Sequence, residues 1–121
     1  MKFVLITKDD AIEAAARAAF PPGDSLLVFD NWQEAMEAAE GADLMFVDQI
    51  ATLTEPHRVA GYEAFADAKM GHELAAKVPL VLIAPPPDYD LDSVVGWPDF
   101  VFAHVRHPIT DKTFRRAATW V

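Results

Sequence analysis

The sequence predicts a doubly wound α/β domain: a five-stranded parallel sheet in the order 2-1-3-4-5, with helices on both faces. Three observations carry that reading. Short apolar runs alternate with longer Ala/Glu-rich stretches along the chain. Each run is nearly continuous rather than alternating, as strands covered on both faces should be. The 121 residues, 52% hydrophobic and 24% charged, suit one domain, residues 1–121, with a single core.

The elements follow in order. The first run, Phe3-Val4-Leu5-Ile6, leads into a helix for which Asp10 and Glu13 supply a D-x-x-E capping box. Its Ala-rich body reaches Ala19, and Pro21-Pro22-Gly23 stops it. Ser25-Leu26-Leu27-Val28-Phe29 is the second strand. Asp30 or Asn31 caps a second helix with Trp32, Ala35, Met36 and Ala39 on one face, and Gly41 falls where a left-handed end is expected. Leu44-Met45-Phe46-Val47 is the third strand, and a longer helix is expected from Val59 to Ala76, carrying Tyr62, Phe65, Ala66 and Met70 inward. After the fourth strand, Leu80-Val81-Leu82-Ile83, the prolines Pro85-Pro86-Pro87 read as a stiff loop, followed by a short acidic helix over Asp88 to Val95. Phe100-Val101-Phe102-Ala103 is the fifth strand. The last helix has Thr110 as N-cap, Ile109 and Phe114 at the two positions of a hydrophobic staple, and Ala117, Ala118 and Val121 along its apolar face. Trp32, Trp97 and Trp120 read as core or rim residues.

Composition narrows the function. With 19 acidic against 10 basic residues the formal net charge is −9, the wrong sign for general attraction to nucleic acid or anionic lipid, so protein partners are expected. The absence of cysteine excludes disulfides, zinc-cysteine sites and thiol nucleophiles. The opening apolar run is too short for a signal peptide or a membrane span, and a cytoplasmic location is expected. His57, His72, His104 and His107 lack the spacing of a metal site.

In an open parallel sheet the reactive groups gather beyond the carboxyl ends of the strands. Those positions hold Thr7, Lys8, Asp9 and Asp10 after the first run, Asp48 after the third, Ala84 after the fourth, and His104 to Pro108 after the fifth. Asp48 stands out as a carboxylate placed directly on a strand tip.

These positions, together with Gly61-Tyr62-Glu63 opening the third helix, Val78-Pro79 entering the fourth strand and His107-Pro108-Ile109-Thr110 entering the last helix, carry a resemblance. The chain resembles a response-regulator receiver domain, a flavodoxin-like (CheY-like) fold, over its whole length and element order. The resemblance implies a phosphoacceptor aspartate after the third strand, Mg²⁺ held by an acidic pair after the first, a Thr or Ser after the fourth and a Lys before a Pro after the fifth. Asp48 matches the phosphoacceptor. Thr7 and Lys8 hold the acid-pair positions, with Asp9 and Asp10 displaced toward the helix, where N-capping explains both. Ala84 replaces the hydroxyl and His107 the lysine; His104 takes the position of the aromatic that couples to that hydroxyl in receivers. The segment from Gln49 to Ala60 is longer than receivers usually carry, with Ala51-Thr52 in place of Met-Pro.

Phosphoryl transfer rests on positioning and charge neutralisation, so these departures remove most of what would make Asp48 reactive. Lys8 is placed to pair with Asp48, and Arg106 or His107 to stand in for the lysine. The expectation is a degenerate, pseudo-receiver: a non-enzymatic, phosphorylation-independent protein-interaction module of a two-component system, with no cofactor. Its partner would be a histidine kinase or an output protein. One alternative is an active atypical receiver, phosphorylated on Asp48 by a histidine kinase, with Mg²⁺ on Asp9, Asp10 and Asp48. Another is a small α/β enzyme using Asp48 with His104 or His107. In receivers the fourth helix, fifth strand and fifth helix form the usual docking surface. Here acidic Asp88, Asp90, Asp92 and Asp99 precede basic Arg106, Lys112, Arg115 and Arg116, which suggests a homodimer through that face.

Overall fold

The structure, a computed structural model, describes residues 1–91 and 100–121. Its strands β1 (Lys2–Ile6), β2 (Ser25–Phe29), β3 (Leu44–Asp48), β4 (Leu80–Ile83) and β5 (Ala103–Val105) form one parallel sheet in the order β2-β1-β3-β4-β5. The helices are α1 (Asp10–Ala19), α2 (Trp32–Glu37), α3 (Gln49–Thr52), α4 (Ala60–Gly71) and α5 (Asp111–Ala118), with a 3₁₀ turn at Ala75–Lys77.

Strand residues alternate between two cores, because successive side chains leave opposite faces of a sheet. Val4, Ile6, Met45, Val47, Leu80 and Leu82 pack with Ala35 and Met36 of α2 and Tyr62 and Phe65 of α4. Phe3, Leu5, Leu44, Phe46, Val81 and Ile83 pack with Ile12 and Ala16 of α1 and Phe114 and Ala117 of α5. The expected fold class therefore holds. The central strands are covered on both faces, as their continuous apolar runs require, whereas β2 is an edge strand and leaves Leu27 37% exposed.

Several local expectations shift. The cap of α1 is Asp9 rather than Asp10: the extended backbone at Asp9 lets its Oδ1 accept from the N–H groups of Ala11 and Ile12, and Asp10 is already helical. At α2, Asn31 is the capping residue, accepting from Glu34 N–H at 2.9 Å. Gly41 has φ +73, the left-handed value expected of it. The helix expected from Val59 to Ala76 ends at Gly71, and a 3₁₀ turn follows. In its last turn Met70 faces out, 52% exposed, and Lys69 is buried in its place. The fifth strand begins at Ala103 rather than Phe100, because Ala103 pairs with Val81; Val101 and Phe100 instead pack into the core ahead of the ladder. At α5 the Thr113 hydroxyl accepts from the Thr110 N–H at 3.1 Å, and Ile109 and Phe114 join the same core. Of the acidic helix expected over Asp88 to Val95, residues Asp88 to Leu91 are turn and coil. The remainder, with Trp97 and Asp99, lies outside the described residues.

The connection after β3 is built differently from a plain loop. A single turn, α3, follows Asp48 directly, closed by the Thr52 hydroxyl donating to the Gln49 carbonyl at 2.7 Å. Gly61 lets α4 pass against it: a Cβ there would lie 2.2 Å from the Thr52 carbonyl oxygen. Farther on, His57, at φ 64, stacks on Tyr89 with ring centroids 4.4 Å apart and sets its Nδ1 2.6 Å from the Asp90 carbonyl oxygen. The longer segment is thus tied to the loop after β4.

Candidate functional site

Three side chains converge at the carboxyl end of the sheet for a reason visible in strand parity. Thr7 follows Phe3 and Leu5, Asp48 follows Leu44 and Phe46, and His107 follows Ala103 and Val105, all on the face that α1 and α5 cover. Asp48 is 5% and Thr7 4% exposed. The Thr7 hydroxyl donates to Asp48 Oδ2 at 2.9 Å, and its oxygen accepts from the Asp9 N–H at 3.0 Å. Asp48 Oδ1 and His107 Nε2 are buried with no hydrogen-bond partner among the described residues.

The electrostatics follow from that geometry. Burial pushes the Asp48 carboxyl above its ordinary range. The Thr7 hydroxyl pulls it back most strongly, and the Ile50 amide acts in the same direction. Asp9 raises it by charge repulsion and His107 lowers it by attraction, which places both near the carboxylate.

The expected positions are partly brought together. Thr7, Asp48 and His107 meet, and Ala84 follows Ile83, the β4 partner of Asp48, with its N–H donating to the Val105 carbonyl at 3.0 Å. Lys8 does not pair with Asp48: next in parity after Thr7, it is exposed, and the Thr7 hydroxyl holds the oxygen instead. Asp9 and Asp10 are exposed, and the Asp9 carboxylate is engaged in capping α1. A hard dication takes several oxygen ligands, carboxylates foremost. One carboxylate bonded to a threonine, with the neighbouring acid turned into a helix cap, does not fit Mg²⁺. His104 is exposed on edge strand β5 and is not grouped with Asp48; Arg106 is exposed as well. The His107–Pro108 peptide bond is cis.

The second region named by the sequence lies on β5 and α5. Arg106, Lys112, Arg116, His104 and Trp120 surround a hollow of about 400 Å³. Arg115 does not join them: its guanidinium pairs with Asp111 at 2.6 Å and reaches the Ala18 carbonyl of α1 at 3.4 Å. The i, i+4 spacing on α5 favours the internal pair.

Sequence reasoning missed two things here. Thr7 was legible only as a missing acid, although its parity with Phe3 and Leu5 is the signal that turns its hydroxyl inward. Burial of Lys69 had no signal beyond its place among apolar residues of α4.

No protein-family model matches the chain, and no curated protein matches it. Solved structures do. The chain is similar to the signal receiver domain of a two-component histidine kinase from Clostridium thermocellum, with a TM-score of 0.72 at 10% identity over 98% of this chain and 94% of that one. It is similar to a CheY-like response-regulator receiver domain from Methanospirillum hungatei, with a TM-score of 0.68 at 12% identity over 98% and 91%. A third is the receiver domain of a sensor histidine kinase from Pseudomonas aeruginosa, solved with magnesium in its active-site cleft, with a TM-score of 0.65 at 14% identity over 98% and 94%. The fold is that of the receiver domains. No helix among the described residues is long and apolar enough to cross a membrane.

Proposed function

We propose that this chain is a receiver-like signalling module of a two-component system whose output does not depend on phosphorylation of Asp48. The observation that supports it is the Thr7 hydroxyl on Asp48 Oδ2, where an active site would need carboxylates for a cation. Burial of Asp48 under a neutral partner disfavours the anion that would attack a phosphoryl group. Ala84 adds no hydroxyl to steady the transferred group. The module is non-catalytic, binds no cofactor and acts by holding a protein partner. The surface for that partner is the basic hollow of Arg106, Lys112 and Arg116 with Trp120 at its rim, which suits an acidic protein surface. A kinase, an output protein or a second copy offering its own acidic residues would serve.

The experiment is intact mass and amide NMR of the wild type and Asp48→Asn, each with Mg²⁺ and beryllofluoride or acetyl phosphate. The expected result is no donor-dependent change in either. An adduct on the wild type that Asp48→Asn abolishes would overturn the reading in favour of an atypical active receiver, with the unpartnered Oδ1 as nucleophile and His107 as its cation.

A further inference from the structure

The opposite end of the sheet holds a second buried ionisable group. In the last turn of α4, Lys69 is 3% exposed, its Nζ donates to the Val78 carbonyl at 2.7 Å, and the ammonium lies 5.5 Å from the centre of the Phe100 ring. Among the described residues no carboxylate forms an ion pair with it. One acceptor leaves further N–H donors of the ammonium unmet, and a buried charge without a counter-ion is costly.

Lys69 lines a groove of about 860 Å³, within the roughly 300–1,000 Å³ that small-molecule sites span. Lys77 is the second cation on its wall, and Asp67 is exposed at its side. Leu80 supplies apolar floor, while Met70 and Phe102, 52% and 53% exposed, present apolar surface that nothing in the described residues covers. An exposed apolar rim over a buried, counter-ion-free cation matches one chemistry: an anionic head on an apolar body. A dianionic phosphate would leave most of its oxygens facing hydrocarbon.

We propose that this groove binds a small amphipathic monocarboxylate, its carboxylate against Lys69 and its apolar body along Leu80, Met70 and Phe102. The site is separate from the Asp48 end, since Leu80 opens the strand whose other end, Ile83, pairs with Asp48. It therefore stands whether or not Asp48 is phosphorylated.

The test titrates the isotope-labelled chain with decanoate and with decanol, below the concentration at which either aggregates. Decanoate should shift the amide signals of Leu80 and Phe102, decanol should bind about tenfold more weakly, and Lys69→Met should erase that difference. Absence of shifts at the groove overturns the proposal, as does decanol binding equal to decanoate or undiminished discrimination in Lys69→Met. A measurement on the native chain covers a variant that does not fold. Burial pulls the Lys69 ammonium down to about 8, and a carboxylate beside it restores the charged form. Among the described residues, Asp67 on its own helix and Lys77 on the 3₁₀ turn are the other charged groups lining the groove. Calorimetry near pH 8 in buffers of different ionisation heat should then record proton uptake with decanoate; binding without uptake overturns the proposal.

Discussion

One end of the sheet buries a carboxyl side chain, Asp48, and the other an amine, Lys69, and neither has an ion-pair partner among the described residues. At the carboxyl end Asp48 has a threonine hydroxyl on one oxygen and nothing on the other. At the amino end Lys69 has one carbonyl. Burial moves both toward neutrality, Asp48 upward and Lys69 downward to about 8. The difference lies in what surrounds them. Asp48 is 5% exposed behind the Thr7 hydroxyl, which the amide of the α1 cap residue Asp9 holds in turn, so its environment is closed by the chain itself. Lys69 opens onto a groove with exposed aromatic and thioether walls, an environment that a ligand can complete. Helix α4 connects the two, with Gly61 in its first turn against the α3 turn beyond Asp48 and Lys69 in its last.

The largest effect should come from breaking the closed end at its backbone. A Cβ at Gly61 meets the Thr52 carbonyl oxygen at 2.2 Å and the Thr54 nitrogen at 2.8 Å, atoms that cannot swing aside as a side chain does. Gly61→Ala should cost about 3 kcal/mol or more in urea denaturation. An unchanged midpoint would mean that α3 and α4 are not packed as described.

Next in size is the open end. A lysine whose folded value is depressed binds fewer protons folded than unfolded between about 8 and its ordinary 10.5. Stability should therefore rise with pH across that window, by up to about 3 kcal/mol. Lys69→Met should lack that rise over the same range, and equal slopes in the two proteins would show that Lys69 is solvated.

Asp48 should behave in the opposite sense. Its raised folded value means that stability is fully present below the ordinary carboxyl value of 3.8 and is lost as pH rises through the folded one. Asp48→Asn keeps an acceptor for Thr7 without the charge, so it should be more stable than the wild type at pH 7 by about 1 kcal/mol. The gain should vanish in acid; a destabilised Asp48→Asn at neutral pH would mean that the anion is satisfied in solution.

The same contrast explains what could be read from the sequence. Three of the five strands, β1, β3 and β4, were legible because a strand covered on both faces must be a continuous apolar run, and the edge strand β2 is an apolar run as well although its outer face is partly exposed. The fifth slipped because Phe100 and Val101 are as apolar as a strand but serve the core before the ladder begins. Asp48 was legible from its place on a strand tip. Its partner was not, because residue type suggested Lys8, while strand parity turns Thr7 inward and Lys8 out. On α4 an apolar helix face predicted Met70 inside, yet the chain buries the neighbouring lysine and gives its ammonium one backbone carbonyl nine residues on, a pairing with no local signal.

The finest test concerns His107. It is the smallest of the influences on Asp48, acting by attraction on the anion and opposing the burial that favours the neutral acid. His107→Gln keeps a polar side chain and removes the imidazole. The Asp48 carboxyl carbon, followed by NMR across acid pH, should then titrate at a slightly higher pH than in the wild type. Thr7→Val should move it upward by more, because the hydroxyl is the strongest influence opposing burial. If the order reversed, the imidazole rather than the hydroxyl would be the group that holds Asp48.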